Sequence, residues 1–266
     1  MRRLLLAASV AMLIVAGSFP AHAAVNGEFF FPCPLSHSAM DDPIVFPGQP
    51  GASHMHDFFG NNSTDAYSTA TSLADATTGC RVAKDKSGYW VPELYRLGAP
   101  VMPAKIQVYY RNQTTTAPQP FPFGLRLVQG DAHAAAPQDD WAHREYWSCD
   151  AGSRFSSPPD CPTGTFLVMN IRFPQCWDGV HLDSADHRSH MTNVNSKGQC
   201  PADHPVVLPL LLLKVKYDIH DGAGGGLTLA SGSIYSVHGD FFNAWDPPTL
   251  ASLISRCIDM GVSCHL

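Results

Sequence analysis

Charged residues are scarce in this chain, glutamate above all, and basic residues are outnumbered by acidic ones. Charged residues are 15% of the 266 residues, and 17 lysines and arginines face 23 aspartates and glutamates, for a formal net charge of −6. A nucleic-acid-binding surface needs a basic excess, so nucleic acid is not an expected partner. Glu28, Glu93 and Glu145 are the only glutamates, so paired-carboxylate chemistry would have to use aspartates.

Several well-known site motifs are missing from the sequence. It has no HExxH, no CxxC, no GxSxG, no P-loop and no GxGxxG, which argues against a helix-borne zinc protease, an α/β-hydrolase and a nucleotide fold. The spacing Gly48-x5-His54-x-His56 matches the opening of the cupin metal motif. The glutamate that should follow in a cupin is absent, since Gly60 and Asn61 stand near its place.

The first residues are typical of a cleaved secretory signal. Arg2 and Arg3 precede an apolar run from Leu4 to Gly17, and Ala21-His22-Ala23 is an A-x-A cleavage site. Residues 1–23 are therefore predicted to be a signal peptide, leaving 266 − 23 = 243 residues with a formal charge of 15 − 23 = −8. No later run is apolar for long enough to cross a bilayer, so we expect a secreted, extracellular protein with no membrane span in the mature chain.

All the cysteines lie beyond that leader, in a compartment where disulfides form. Their number, eight, is even, which predicts four structural disulfides. Proximity along the chain suggests the pairs Cys33–Cys80, Cys149–Cys161, Cys176–Cys200 and Cys257–Cys264, among 105 possible pairings.

Short β-type runs separated by proline- and glycine-rich segments dominate the rest. Ile106–Tyr110 and Gly124–Val128 alternate, and Phe166–Phe173, Val206–Tyr217 and Leu227–Val237 read as further strands. Only the end is helical in pattern, with Asp246 as a cap before Pro247-Pro248. We predict an all-β fold: residues 24–266 as a single-domain, jelly-roll-like β-sandwich with long disulfide-tied loops and a short C-terminal helix.

The candidate chemistry lies in three histidine-rich stretches: residues 53–61, 176–191 and 238–245. Each combines histidine with aspartate, and an imidazole beside a carboxylate has a fixed tautomer and a tunable pKa, as acid–base catalysis requires. In a strand, His54 and His56 would share one face while Asp57 points to the other. The alternative is that these are structural His–Asp pairs, hydrogen-bonded beneath long loops.

The stretches and a few residues outside them supply three sets of candidate residues. The catalytic candidates are His56, Asp57, Asp183, His187, His190, His238 and Asp240. The candidates for contact with a sugar are Trp90, Tyr95, Trp177 and Trp245, whose rings could stack on it, and Arg126, with Arg188 as an alternative, for a uronate or sulfate group. His54, His56 and His238 are the candidate ligands of one divalent metal ion, with zinc, copper or calcium as possible occupants.

Several blocks of the sequence resemble the domain-of-unknown-function family 1996. These blocks are Ser53–Asn61, Tyr89–Tyr95, Phe173–Gly179, Leu182–Ser184, Asp186–Met191 and His238–Phe241, in a resemblance that runs over residues 27–257. The resemblance implies a secreted protein of fungal or bacterial type, sometimes joined to carbohydrate-binding or cell-wall modules. It supplies no catalytic assignment.

Two functions of different classes remain open at this point. One is a carbohydrate-active enzyme, a hydrolase or a lyase, that acts on a polysaccharide or cell-wall glycan through a His/Asp cluster, with or without the help of a metal ion. The other is a non-catalytic secreted protein that binds a metal ion or a glycan. Both require the separate stretches to meet at one cavity.

Overall fold

The computed structural model describes residues 27–137, 144–150, 152–222 and 225–266, and it is built mostly of short strands. The predicted signal peptide lies outside the described residues. The strands are β1 (Glu28–Cys33), β2 (Leu35–Ala39), β3 (His56–Gly60), β4 (Gly88–Pro92), β5 (Leu94–Arg96), β6 (Ala99–Val101), β7 (Lys105–Arg111), β8 (Arg126–Gly130), β9 (Glu145–Cys149), β10 (Leu167–Arg172), β11 (Cys176–Trp177), β12 (Met191–Thr192), β13 (Val206–Val207), β14 (Leu210–Tyr217), β15 (Leu227–Leu229), β16 (His238–Phe242) and β17 (Ser263–His265).

Two large sheets form a β-sandwich, as predicted. One has six strands in the order β17-β1-β7-β14-β10-β9, and the other has five in the order β2-β3-β4-β16-β8. The chain passes repeatedly from one sheet to the other, and the pairings are antiparallel except for that of β1 with β17. Two small sheets, β12-β11-β13 and β15-β5-β6, lie beside them.

The alternation of apolar residues explains which face of the six-stranded sheet is inside. In β7, Ile106, Val108 and Tyr110 are buried in the common core, while the residues between them are more exposed. Every residue of β3, β4 and β16 is buried, so both faces of the five-stranded sheet are covered. Its inner face packs in the sandwich core, and its outer face lies beneath loops.

Two glycines permit close approaches that position the outer face. A Cβ at Gly239 would lie 2.7 Å from Cδ1 of Ile171, so this residue lets the two sheets come together. Gly130, at the end of β8, has a φ of +90°, and a Cβ there would lie 2.3 Å from the carbonyl oxygen of Val237. Gly130 therefore allows β8 to pair tightly with β16 beside His238.

A chain of hydrogen bonds crosses the core between the sheets. Trp245 Nε1 donates to the hydroxyl of Tyr110 at 2.8 Å, and the hydroxyls of Tyr110 and Tyr89 are 2.7 Å apart. The Tyr89 hydroxyl donates to Asp85 Oδ2 at 2.6 Å. All four side chains are buried, so the polar groups in this row of hydrogen bonds find their partners in one another rather than in water. Burial raises the pKa of Asp85 to about 7 despite these bonds.

The predicted C-terminal helix is confirmed. Helix α2 (Pro247–Leu253) begins after Asp246, whose carboxylate accepts from Thr249 N at 3.2 Å, and it continues as a π-helical segment, Ile254–Asp259. A second short helix, α1 (Ala70–Asp75), was not predicted. It buries only Leu73, so it has too few apolar residues to show a helical period, although Thr69 caps it.

Four disulfides join cysteines that are consecutive in the chain. They are Cys33–Cys80, Cys149–Cys161, Cys176–Cys200 and Cys257–Cys264, the pairing predicted from proximity. Four disulfides fit an extracellular protein. Among the described residues, no helix has both the length and the apolar character needed to cross a membrane.

Candidate metal centre

The outer face of the five-stranded sheet carries the candidate site. Side chains alternate along a strand, so His56 of β3 projects to this face, as do His238 and Asp240 of β16. Strand β4 lies between β3 and β16, and its Trp90 pairs with Asp240. His54 lies just before β3, outside the predicted strand geometry, yet its ring contacts that of His56 with centroids 4.3 Å apart. Residues far apart in the sequence thus meet here.

Three imidazoles converge at this point through their Nε2 atoms. The Nε2 of His238 lies 3.0 Å from that of His54 and 3.4 Å from that of His56. Ligand atoms of all three side chains lie within 4.8 Å of one another. His56 and His238 are buried, and His54 is half-buried at the side that faces solvent. The predicted set of metal ligands is therefore assembled in one place.

Backbone carbonyls fix the orientation of two of the rings. His56 Nδ1 donates to the carbonyl oxygen of Asp41 at 3.0 Å, and His238 Nδ1 donates to that of Ser236 at 2.8 Å. A carbonyl can only accept, so in the neutral ring Nδ1 holds the proton and Nε2 presents its lone pair. The Nε2 lone pairs of His56 and His238 therefore face each other. This arrangement is repulsive unless a proton or a cation lies between them, and it is the one that metal-binding histidines commonly show.

Burial keeps the three histidines neutral near pH 7. It lowers the pKa of His54 to about 4 and that of His238 to about 3. Burial, followed by the proximity of the other two rings, holds the pKa of His56 well below its usual range. Neutral imidazole is the form that binds a metal ion, so His56 and His238, whose protons lie on Nδ1, lose no proton from Nε2 on binding one at neutral pH.

Two buried carboxyl groups lie against the same cluster. Asp42, His56 and Asp240 form a second set of potential ligands within 4.8 Å. Asp42 Oδ1 accepts from the backbone N–H groups of Ile44 and Val45, both at 2.9 Å. Asp240 is buried, and neither of its oxygens has a hydrogen-bond partner among the described residues. Burial, with the nearby charge of Asp42, raises the pKa of Asp240 well above its ordinary value. Such a group needs a proton or a nearby cation.

A cavity of about 490 Å³ opens above the cluster. It brings together all three histidine-rich stretches, because residues 186–188 of the second form part of its wall. Its polar lining consists of Asp42, Ser53, His54, Asp131, His133, Asp186, His187, Arg188, His238 and Asp240. Arg188 is fixed by donating to the carbonyl oxygens of Gly130 at 2.5 Å and Val128 at 3.5 Å. The cavity thus contains histidines, carboxyl groups and one anchored guanidinium.

The other predicted residues of the second stretch are bonded locally. Asp183 forms an ion pair with Arg126 at 3.0 Å and accepts from His187 Nδ1 at 2.9 Å. Both ring nitrogens of His190 have partners, Ser184 Oγ at 2.9 Å and the carbonyl oxygen of Arg126 at 2.7 Å. Asp183 and His190 line a separate, open depression of about 560 Å³. The structural reading of His–Asp pairs beneath loops therefore fits these two residues.

Asp57 lies on the opposite face of β3 from His56, as the alternation of the strand requires. Its Oδ1 accepts from Ser38 Oγ at 2.7 Å, while Oδ2 is buried without a partner among the described residues. Burial raises the pKa of Asp57 to about 7, and the charge of Glu93 acts in the same direction. The strand separates this carboxyl from the histidine cluster.

The aromatic candidates do not form an exposed floor in the cavity. Trp90 is fully buried and stacks on Phe58, with the ring centroids 5.6 Å apart, and Trp245 belongs to the core. Tyr95 lies on β5 of a small sheet, and the indole of Trp177 donates to the carbonyl oxygen of His181 at 2.7 Å. None of these four rings is among the described residues that line the cavity.

The sequence analysis missed three polar residues of the cavity wall, Asp42, Asp131 and His133. Asp42 stands in Asp41-Asp42-Pro43, which is typical of a turn and carries no sign of a site. His133 is exposed and isolated in sequence, but it lines the cavity, and its charge acts on His54. It stands there because residues 131–133 line the same cavity as residues 53–54, which lie far away in the sequence.

The comparisons with known proteins establish a family but no function. The sequence profile of a domain of unknown function, DUF1996, matches residues 42–245, so the chain belongs to that family. No curated protein matches the chain. No solved structure matches it either.

Proposed function

We propose that this family member is a secreted, metal-dependent enzyme that cleaves a polysaccharide, by hydrolysis or by elimination, in the cavity above His54, His56 and His238. The single observation that carries the proposal is the spacing of the Nε2 atoms. Two nitrogens bound to one tetrahedral ion at about 2.0–2.1 Å are about 3.3 Å apart. In the structure the Nε2 of His238 lies 3.0 Å from that of His54 and 3.4 Å from that of His56.

The donor set favours particular ions among those considered. Three imidazole nitrogens suit zinc or copper, whereas calcium takes six to eight oxygen ligands. Three protein ligands with a free position toward a cavity are typical of catalytic rather than structural zinc sites. An ion held there would supply a Lewis acid and lower the pKa of a water molecule.

The residues around the cluster have separate tasks in this proposal. Asp240, buried and without a partner among the described residues, would accept or hold a proton beside the reacting group. Arg188, anchored on the edge of β8, would bind an acidic group of the substrate, such as a uronate carboxylate. His133 and His187 stand at the cavity wall and would contact the substrate.

Secretion and the glycan substrate are parts of the proposal with their own support. The leader-like residues 1–23 and the four disulfides support export. The glycan is supported by a cavity with polar and cationic groups and by the carbohydrate-linked modules that the resemblance implies. That residues 24–266 form one domain also stays a prediction.

A second candidate function is a non-catalytic protein that binds a metal ion or a glycan at the same place. The local bonding of Asp183 and His190 favours it, because these groups are then not free for acid–base work. A metal-binding protein of this kind would use the same three histidines as the enzyme and would differ from it only in having no turnover.

The test is a screen of the purified mature protein against acidic and neutral polysaccharides, with and without a chelator. We expect reducing ends or unsaturated products from the wild type, and their loss with chelator and in His56→Ala. His181→Ala, which removes an exposed imidazole outside the cavity, is the matched control and should keep activity. Stoichiometric zinc or copper, or saturable binding of one of the polysaccharides, without products on any polymer would favour the binding protein. A protein that binds no metal, binds none of the polysaccharides and releases no products would refute both functions.

A further inference from the structure

The imidazole of His187 has one ring nitrogen bonded to a carboxylate and the other unbonded. Its Nδ1 lies 2.9 Å from Asp183 Oδ1 and 3.2 Å from Asp183 Oδ2. Its Nε2 makes no hydrogen bond within the part of the chain that the structure describes. The residue lines the cavity above the metal centre, and 26% of its side chain is exposed. This nitrogen is therefore available to a molecule in the cavity.

The carboxylate fixes which nitrogen of His187 carries the proton. An ionised carboxylate only accepts hydrogen bonds, so in the neutral ring Nδ1 is the donor and Nε2 has a lone pair. Asp183 is itself fixed in place. Its Oδ2 accepts from Arg126 at 3.0 Å, and its Oδ1 accepts from Ser184 N at 2.9 Å. An imidazole oriented by a fixed carboxylate is the arrangement of a general base.

Two arginines tie the loop that carries this imidazole to strand β8. Arg126 of the strand forms an ion pair with Asp183 of the loop. Arg188 of the loop donates to the carbonyl oxygen of Gly130, which lies opposite His238 in β16. The base is thus held at a fixed place relative to the strand that supplies one of the candidate metal ligands.

The backbone at His187 is in the left-handed region, which is uncommon for a residue other than glycine. Its φ is +57°. Asp186 holds this turn, because its Oδ1 accepts from Ser184 Oγ at 2.7 Å and from Ser189 N at 2.8 Å. Strained backbone of this kind persists where the surrounding contacts over-determine it, and it occurs often at functional sites.

His187 lies near enough to the metal centre for its charge to act on Asp42. Burial raises the pKa of Asp42. Hydrogen bonds from the backbone N–H groups of Val45 and Ile44, and then the positive charge of protonated His187, act in the opposite direction. Asp42 belongs to the second set of potential metal ligands. His187 and the metal centre therefore border the same space.

The charges in the cavity wall favour elimination over hydrolysis. Glycoside hydrolysis passes through a transition state like an oxocarbenium cation, which carboxylates stabilise. Burial raises the pKa of Asp42 and Asp240 in the wall, so neither is well suited to that task. Arg188 places a cation beside His187, and an ion held by the three histidines would add another. Cations stabilise the negative charge that develops when a carbon next to a carboxylate loses its proton.

We propose that His187 is the base that removes the C5 proton of a uronate residue in an acidic polysaccharide, with Asp183 as its positioning residue. The proposal rests on the enzyme function proposed above and commits it to elimination. The carboxylate of the uronate would pair with Arg188.

The step balances without an added reactant other than solvent water. The C5 proton passes to Nε2 of His187, and the electron pair of that C–H bond forms the C4–C5 double bond. The bond from C4 to the glycosidic oxygen breaks. This oxygen takes a proton from water, and His187 returns its own proton to water. The products are an unsaturated uronate and a new reducing end.

The first measurement needs no substrate. In a long-range proton–nitrogen NMR spectrum of the wild type at pH 8, His187 should show a protonated Nδ1 and an unprotonated Nε2. Asp183→Asn should populate the other tautomer, because the asparagine amide no longer fixes the proton on Nδ1. A neutral wild-type ring with its proton on Nε2 would overturn the proposal, since it would offer no lone pair to the cavity.

The second measurement follows unsaturated products by ultraviolet absorbance, with polygalacturonate, alginate and hyaluronan as substrates. We expect His187→Gly to lower kcat about 100-fold with little change in KM, and added imidazole to recover about tenfold of that loss. Glycine adopts a positive φ without strain, so this variant should fold and leave room for the imidazole. Asp183→Asn should lower kcat about tenfold at unchanged KM.

Two controls match these changes. His181→Ala should keep full activity, because its ring also pairs with an aspartate, Asp178, but lies outside the cavity. The cleaved polymer with its carboxyl groups reduced to alcohols should not be cleaved, because its C5 proton is no longer acidified. If His187→Gly does not fold, His187→Asn takes its place, since asparagine also tolerates a positive φ.

The outcomes separate this proposal from the enzyme function on which it rests. Saturated products alone would keep the enzyme and overturn elimination. Unsaturated products formed equally fast by His187→Gly would assign the base to another residue. Equal cleavage of the carboxyl-reduced polymer would rule out the uronate. If the wild type releases nothing from any acidic or neutral polymer, the enzyme function is wrong, and the base falls with it.

Discussion

Replacing Asp85 by asparagine should change how the stability of the protein depends on pH. Asp85 accepts from Tyr89 at the end of the hydrogen-bond chain that crosses the core, and burial raises its pKa from 3.8 to about 7. A carboxyl with a raised folded pKa gives stability that is complete below pH 4. This stability is lost as the pH rises to about 7, because only the unfolded chain then ionises freely.

The magnitude follows from the two pKa values. The difference between about 7 and 3.8 corresponds to about 4 kcal/mol, at 1.36 kcal/mol for each pH unit. Asparagine has the same shape, cannot ionise and still presents an oxygen to Ser87 N, which donates to Asp85 Oδ1 at 3.1 Å. Relative to its difference from the wild type at pH 4, the variant should therefore gain about 4 kcal/mol by pH 8, which for a chain of this size is about 8–16 °C in melting temperature. The asparagine Nδ2 cannot accept from the Tyr89 hydroxyl as Asp85 Oδ2 does, and this lost hydrogen bond costs about 1–3 kcal/mol at both pH values.

The assay is urea or thermal unfolding of both proteins at intervals between pH 4 and pH 8. The difference between them isolates Asp85 from the other buried carboxyl groups, which titrate in both. Tyr89→Phe is the matched control: it removes the donor to Asp85, so it should steepen the loss of stability with pH. If the wild type and Asp85→Asn keep a constant difference from pH 4 to pH 8, the carboxyl does not ionise at a shifted pKa and the reasoning is wrong.

Two further predictions concern the metal centre and the contact between the sheets. Zinc at 100 times its Kd should stabilise the wild type and His181→Ala by about 2.7 kcal/mol, or about 5–11 °C, and should leave His238→Ala unchanged in a thermal-shift assay; an equal shift in all three proteins would place the ion elsewhere. Gly239→Ala should destabilise the chain by about 1–3 kcal/mol in urea unfolding, because its Cβ would lie 2.7 Å from Ile171 Cδ1. Adding Ile171→Val should restore part of that loss, and strictly additive effects would argue against this contact.

The general architecture could be predicted because its signals are local. The alternation in β7, the capping sequence after Asp246 and the even number of cysteines predicted strands, a helix and disulfides in the right places. The run Leu227–Val237 was predicted as one strand. Only Leu227–Leu229 pairs in a strand, and the residues before His238 turn back instead. An alternating pattern of apolar residues does not show whether another strand lies beside the segment to form hydrogen bonds with it.

The sequence predicted which three histidines lie together, but it did not predict what surrounds them. His54-x-His56 and His238 carry a recognisable pattern, and contacts across 182–184 positions bring them together. Nothing local distinguishes His133, which lines the cavity, from a scattered surface histidine. Nor does the sequence show that His190 satisfies both ring nitrogens with its own loop and β8, because those partners become apparent only in the fold.

The order of the disulfides has a consequence for how the chain can be oxidised. The eight cysteines pair first with second, third with fourth and so on, at separations of 47, 12, 24 and 7 residues, so no bridge encloses or crosses another. A chain that enters an oxidising compartment from its amino end would meet each correct partner before any later thiol has arrived. Simple first-come closure then gives the native set, and the reshuffling step that interleaved cystine patterns require is not needed.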